Sequence, residues 1–274
     1  FPNNVNNPIT PRTFEGEAFA PVIPSFQYAY NKGRWSFQGN FALTGGGGKC
    51  TFDDGLGSFE KIVSETAVGA CQLAGIVDQA AGQIGLPPVF TSNNVFGTQG
   101  KYSYDSYMHG RQYYFGLSAA VAYKVTDNLA VSAGVRGVYA TCNYYGYVEN
   151  ITVGNMPLYK VLDPTKENSA NIELSCDQSG KGFTPIIGID YKTGKWNFAA
   201  KYEFKTRLRL KNKPVNKTPS IGNLADNLRA SYIAGGVPEA AADMVLSNQN
   251  VQGAMGALKN HFDKNLTEAI GEYE

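Results

Sequence analysis

The sequence has no long hydrophobic run. Nowhere in its 274 residues do about 18 apolar residues follow one another, which is close to the minimum for a helical membrane span. A helical transmembrane span within these residues is therefore excluded. A transmembrane β-barrel is not excluded, because only every second residue of its strands must be apolar.

An excess of charge of one sign is also missing. The 24 Lys and Arg residues balance 23 Asp and Glu residues, which leaves a net charge of +1. Nucleic-acid-binding proteins usually carry a basic excess, so we expect no nucleic-acid partner.

The residues of common catalytic and metal sites are scarce. There are two histidines, far apart, and four cysteines without CxxC spacing, which argues against a zinc or thioredoxin site. The run Gly45–Gly48 before Lys49 does not match a phosphate-binding loop, because Leu43 and Cys50 replace the required Gly and Ser/Thr. A bend or bulge at a strand end explains these glycines better. We expect neither an enzyme nor a cofactor.

The sequence is instead rich in Gly (31), Tyr (17) and Phe (15), and apolar and polar residues alternate along it. Strict alternation predicts strands of an antiparallel sheet with one apolar and one polar face. Six such stretches are present, with a possible seventh strand at residues 12–21. They are residues 25–31, 34–44, 112–124, 128–139, 183–191 and 195–211.

Tight turns and long connections alternate between these strands. Turn signals lie at residues 31–33, 126–128 and 193–194, and long connections at 50–111, 152–182 and from 212 onwards. All tight turns must then lie at one end of the sheet, as in outer-membrane barrels. A soluble β-sandwich would have shorter and more uniform loops.

Aromatic residues on the apolar face lie close to the tight turns, where a membrane-interface girdle is expected. These are Tyr30, Trp35, Tyr123, Tyr191 and Trp196.

Two of the long connections have helical apolar spacing, at residues 59–84 and 251–270, and residues 238–246 form a shorter candidate helix. Their apolar stripes either pack on one another over the barrel mouth or also line a groove for a hydrophobic ligand. The candidate capture residues are Phe59, Ile62, Val63, Leu73, Val77, Met255, Leu258 and Phe262.

Residues 41–55, 117–139 and 180–206 resemble the FadL/TodX family of outer-membrane transporters of hydrophobic compounds, in a form typical of Bacteroidetes-type Gram-negative bacteria. The resemblance implies an all-β fold, a fourteen-stranded antiparallel transmembrane barrel with helical external loops and an N-terminal hatch. It implies passive uptake of long-chain fatty acids or other hydrophobic molecules through a monomeric barrel, surrounded by outer-membrane lipid and lipopolysaccharide.

Six or seven strands cannot close such a barrel, and open edges are not tolerated in lipid. We therefore expect residues 1–274 to form one partial barrel domain of a longer chain, with helical external insertions at about 53–110 and 213–274. Two other hypotheses remain open. The barrel could be a scaffold for surface proteins, or the chain could be a soluble β-sandwich.

A fatty-acid carboxylate in a pocket of low dielectric constant requires a cation. By alternation, Arg136, Lys201, Arg207 and Arg209 face inward. The alternative is a polar salt-bridge network that includes Glu203 and Asp190. The family often has a basic residue where this chain has Thr141, which is a departure from the fatty-acid pattern.

The four cysteines allow two disulfides in an oxidising compartment. Cys142 could pair with Cys176 across adjacent strands, and Cys50 with Cys71. Four free thiols are the alternative.

Overall fold

The computed structural model describes residues 4–6, 12–20, 22–88, 100–217, 224–234 and 236–270, without the side chains of residues 214, 216, 217 and 262–270. Nine strands and five helices lie within these ranges. The strands are β1 Glu17–Phe19, β2 Ser25–Lys32, β3 Trp35–Phe52, β4 Tyr102–Lys124, β5 Leu129–Val153, β6 Met156–Pro157, β7 Ile172–Thr193, β8 Trp196–Glu203 and β9 Arg209–Lys217. The helices are α1 Gly57–Gln83, α2 Tyr159–Leu162, α3 Leu224–Ala234, α4 Glu239–Ser247 and α5 Gln249–Ile270.

The strands form one antiparallel sheet that curls into a half-barrel. Long strands β3, β4, β5 and β7 follow one another as a meander. β1 and β2 both pair with β3 at one edge, and β8 and β9 both pair with β7 at the other. The predicted antiparallel sheet is confirmed.

The long strands continue well beyond the predicted stretches. β4 begins at Tyr102 and β5 ends at Val153. The last residues of the predicted helical insertion 53–110 are therefore part of β4. Alternation fails there because the outer face becomes polar and aromatic, with Tyr107, His109 and Asn143 in place of aliphatic residues. The predicted connections 50–111 and 152–182 were therefore too long.

The tight turns lie together at one end of the sheet. Lys32 pairs with Trp35 and Thr193 with Trp196, so these two turns have two residues each, and the turn between β4 and β5 has four. Gly33 and Gly194 have φ of 60° and 56°, which a glycine adopts without strain. The predicted difference between the two ends of the sheet is confirmed.

The predicted glycine bulge lies within β3. The pairing of β3 with β4 shifts between Leu43 and Gly45 and again between Gly46 and Gly48. Each shift moves the following side chains of β3 to the opposite face, so the second shift cancels the first. Lys49 therefore lies on the same face as Leu43.

The prediction of a single strand at residues 195–211 is wrong. β8 ends at Glu203, opposite Ile186, and β9 begins at Arg209, opposite Lys181. Between β8 and β9, the pairing register with β7 shifts by one residue. Because side chains alternate between faces, this shift moves the later residues to the opposite face.

The five helices form a cap over the end of the sheet opposite the tight turns, and we call them the helical cap. The helices predicted at 59–84, 238–246 and 251–270 correspond to α1, α4 and α5, whereas α2 and α3 were not predicted. The cap packs on the upper ends of β4 and β5 through Tyr102, Tyr104, Val148 and Val153. Among the described residues, no helix has the length and apolarity needed to cross a membrane.

Candidate functional site

The outer face of the half-barrel is an apolar band next to the tight turns. Its large side chains are exposed on every long strand, although ordinary soluble proteins rarely expose apolar patches of this extent. They include Phe26, Tyr28, Phe37, Leu117, Val121, Val131, Val135, Phe183, Ile187, Ile189, Phe198, Tyr202 and Phe204.

The predicted aromatic girdle lies on this face at the turn end. Trp35 is 50% and Trp196 70% exposed, and Tyr30 and Tyr191 are exposed as well. Trp35 pairs with Tyr123 across the strands, with their ring centroids 4.7 Å apart. Tyr and Trp rings are typical of the level where hydrocarbon meets water.

The apolar band ends at a similar distance from the turns on several strands. Beyond it, one row of outer-face residues crosses the sheet by direct pairing, and every member is polar or charged. The row consists of Lys49, Arg111, Asn143, Asp177 and Lys213.

The concave face of the sheet is polar. A groove of about 850 Å³ crosses it and is lined by small and polar side chains, among them Gln38, Asn40, Ser118 and Ser132. Over the described residues, this wall offers hydrogen-bonding groups among small and aliphatic side chains such as Ala120, Ala200 and Ile186.

An ion triad lies beside the groove, and two of its members, Arg136 and Lys201, line it. The Arg136 guanidinium donates two hydrogen bonds to the Glu203 carboxylate, at 2.8 and 2.9 Å, and a third to Ser118 Oγ at 3.2 Å. Lys201 Nζ lies 2.6 Å from the same carboxylate. Glu203 thus forms ion pairs with two of the four predicted inward cations, as in the salt-bridge alternative, and one positive charge remains.

Two of the four cations predicted to face inward lie on the outer face. Arg209 lies directly opposite Lys181, which shares the outer face with Tyr139. Arg207 is exposed between Thr206, which hydrogen-bonds with the concave-face residue Thr184, and Leu208, which contacts Gly182. The one-residue shift between β8 and β9 is the reason that the alternation rule failed here.

The helical cap contains a second groove, of about 730 Å³, between α1 and α5. Val68, Ile76 and Leu258 give it apolar contacts. Amide side chains surround them, namely Gln72, Gln79, Gln83, Asn248, Gln249 and Asn250. This groove could accept an apolar chain and hydrogen-bond a polar group at its rim.

Four of the predicted capture residues are buried in the core of the helical cap. Val63 and Val77 are 1% exposed, and Leu73 and Leu258 only slightly more. The apolar stripes of α1 and α5 therefore pack within the cap, which was the simpler of the two predicted roles. Leu258 also lines a small void of about 20 Å³ whose lining is entirely apolar.

Two of the other capture candidates, Phe59 and Met255, lie at the margin of this core. Phe59 packs against the sheet at Gly146, and Ile62 and Met255 are half-buried. None of these three lines the groove between α1 and α5. The side chain of Phe262 lies outside the described residues.

A buried polar cluster around Glu60 was not predicted. The Glu60 carboxylate is fully buried and accepts hydrogen bonds from Asn4 Nδ2 (2.7 Å), Tyr102 (3.0 Å), Tyr104 (2.8 Å) and Arg12. A sequence signal existed, because Glu60 lies three residues before Val63 on the apolar stripe of α1. The cluster fastens the N-terminal segment to the cap.

Electrostatics keep this carboxyl ionised. Burial by itself raises the pKa of Glu60, but the hydrogen bonds from its four partners outweigh burial and hold the pKa below its ordinary value. Arg12 also lies 4.6 Å above the ring of Phe14.

None of the four cysteines, all of which the structure describes, forms a disulfide, so neither predicted pair is present. Cys142 lies opposite Gln178 and Cys176 opposite Tyr144, which makes the two cysteines diagonal neighbours rather than a direct pair. Diagonal positions are about 7–8 Å apart, beyond the usual span of a disulfide. Cys71 lies on α1 beside Gly100, whereas Cys50 pairs with Gly110 within the sheet.

No protein-family model, curated protein or solved structure matches the chain. The resemblance to the FadL/TodX transporters therefore stays a prediction from the sequence.

Proposed function

We propose that the protein is an outer-membrane β-barrel channel that takes up hydrophobic molecules, such as long-chain fatty acids, in the manner of the FadL/TodX family. The observation that carries this proposal is the apolar band with its aromatic girdle. An exposed apolar surface of this extent requires a partner, and a band beside short turns fits lipid.

The helical cap is the proposed site of capture. Its groove between α1 and α5 exposes Val68 and Ile76 beside amide groups, which suits an amphipathic molecule with an apolar chain. The apolar void behind Leu258 would extend the groove if that side chain changed rotamer.

The polar concave face limits where an apolar ligand can travel. In the ion triad, Glu203 offsets one of the two positive charges and accepts both hydrogen bonds of the Arg136 guanidinium, so a ligand carboxylate must compete with Glu203 for Arg136. Entry through the cap therefore precedes any contact with the triad in this proposal.

The capture proposal is tested by binding of radiolabelled palmitate to the detergent-purified protein. Val68→Gln places an amide in the groove and should weaken binding about tenfold, since an exposed apolar contact is replaced by a hydrated group. Met244→Gln is the matched control, because Met244 is an exposed apolar residue on α4 away from the groove. Equal affinity of both variants for palmitate would exclude the groove as the capture site.

A scaffold for surface proteins is the second candidate function. The observation that favours it is the burial of Val63, Leu73, Val77 and Leu258, which removes most of the apolar stripe from any ligand. Absence of saturable palmitate binding to a correctly folded barrel would support the scaffold over the transporter.

A further inference from the structure

A cluster of cations lies on the outer face of the sheet, just beyond the apolar band. Lys181 on β7 lies directly opposite Arg209 on β9, and Lys211 lies opposite Ser179 on the same face. Arg207 precedes them and is exposed, as are the other three. We call Lys181, Arg207, Arg209 and Lys211 the basic patch.

The charges of the basic patch are not neutralised within the described part of the chain. The ion pairs found there involve none of its four residues. The neighbouring carboxylate on the same face, Asp177, lies opposite Lys213 and accepts a hydrogen bond from Asn143 at 2.8 Å. Like charges directly opposite on paired strands are unfavourable, so an anion between Lys181 and Arg209 would relieve a repulsion.

The one-residue shift between β8 and β9 creates the patch. Without it, Leu208 and Leu210 would continue the apolar band outward and the arginines would enter the groove. With it, both leucines turn to the concave side, where they contact Gly182 and Gly180. The outer surface therefore changes abruptly from Phe204 to arginine.

The position of the patch matches a lipid headgroup. Lys181 lies about 13 residues along β7 from the turn at Gly194. At about 3.3 Å per residue and a tilt of about 40°, that is about 30–35 Å, slightly more than an apolar band of about 25 Å. Phe183 on β7 and Phe204, directly after β8, are the last exposed aromatic residues of the band in this part of the sheet.

We propose that the basic patch binds the phosphate groups of an anionic lipid in the leaflet away from the tight turns, such as the phosphorylated glucosamines of lipopolysaccharide. The inference rests on the proposed membrane location. The guanidinium of Arg209 can form two parallel hydrogen bonds with a phosphate, while Lys181 and Lys211 add charge on either side.

The test measures binding of bisphosphorylated lipid A to the detergent-purified protein. The patch variant carries Lys181→Gln, Arg209→Gln and Lys211→Gln. The matched control carries Lys32→Gln, Lys192→Gln and Lys195→Gln, which remove the same charge from exposed sites at the tight turns. At about fivefold per cation, the patch variant should bind about a hundred times more weakly, and the control should equal the unmodified protein.

Two further ligands identify the chemistry. Enzymatically dephosphorylated lipid A should bind the unmodified protein as weakly as bisphosphorylated lipid A binds the patch variant. Inorganic phosphate should bind far more weakly than the lipid. Equal binding of the dephosphorylated lipid, or inorganic phosphate bound as tightly as lipid A, would overturn the proposal.

A folding control keeps the result clear. The charge-conserving variant Lys181→Arg, Arg209→Lys, Lys211→Arg should retain lipid A binding. If the native side chains were needed only for folding, this variant would lose binding as the patch variant does. A patch variant that binds lipid A normally, in a protein that still inserts into bilayers and binds palmitate, overturns the patch alone. A protein that stays soluble without detergent overturns the membrane location on which both proposals rest.

Discussion

Glu60 joins the N-terminal segment to the helical cap. Its buried carboxylate faces the Arg12 guanidinium, and Asn4 approaches from the same segment. Glu60→Gln should lower the free energy of unfolding of the cap by about 3–5 kcal/mol, because it leaves the arginine without its buried partner. Thermal unfolding followed by helical circular dichroism measures the change.

Glu65→Gln is the matched control for this prediction. Glu65 lies on α1 in an exposed pair with Lys61 at 3.8 Å, which is worth about 0.5 kcal/mol or less. Digestion with trypsin is a second measurement. Arg12 is almost buried, so trypsin should cleave after it faster in Glu60→Gln and not in Glu65→Gln. Similar losses of stability in the two variants would contradict a special role for Glu60.

The same carboxyl predicts a pH dependence. Because the folded-state pKa of Glu60 is lowered, its stabilisation is complete above its ordinary pKa of about 4.3 and is lost as the pH falls through the lowered value. The Glu60→Gln variant lacks this contribution. The stability difference between the two proteins should therefore shrink in acid, and a constant difference from pH 7 to about 3 would contradict the assignment.

Strand β3 depends on its glycine bulge. Gly46 has φ of 70°, and a Cβ there would lie 2.3 Å from the Gln112 carbonyl oxygen. Gly46→Ala should therefore destabilise the sheet by about 1–3 kcal/mol, measured as the urea midpoint of the detergent-folded protein. Gly39→Ala on the same strand has open space around the added methyl group and should change stability by about 0.5 kcal/mol or less. Equal effects would show that the bulge tolerates a side chain.

Elements with strict alternation were predictable from the sequence, and so were the helices with long apolar stripes. The shift between β8 and β9 was not. Apolar residues continue in phase from Phe198 to Leu210 with Thr206 as the single polar interruption, so the alternation gives only a weak sign of the change of face. It arises from how β8 and β9 pair with β7, which is a property of the sheet and not of the strand.

For the site, the alternation predicted that Arg136 and Lys201 lie on the polar face, but it could not separate a ligand-binding cation from one held in an ion pair. That distinction depends on Glu203, which only the fold brings into contact with both. The prediction that the apolar stripe of α1 captures a ligand was limited in a similar way. Periodicity identifies an apolar face without showing what covers it. Val63 and Val77 are covered by the rest of the cap.

At the scale of the whole molecule, the apolar band is the feature that most requires an explanation. It combines an exposed outer face, a polar concave face, aromatic residues beside short turns and a cationic margin. A soluble β-sandwich would bury the same side chains against a second sheet. Insertion of the sheet into a lipid bilayer would account for all four features together.

Depth-dependent quenching of tryptophan fluorescence tests this central claim most directly. The chain has two tryptophans, Trp35 and Trp196, both exposed at the turn end of the band. In vesicles of brominated phosphatidylcholine, bromines near the headgroup should quench both more strongly than bromines near the bilayer centre, and Trp35→Phe and Trp196→Phe assign each signal. Fluorescence that neither lipid quenches, from a protein that stays soluble without detergent, would contradict the membrane account.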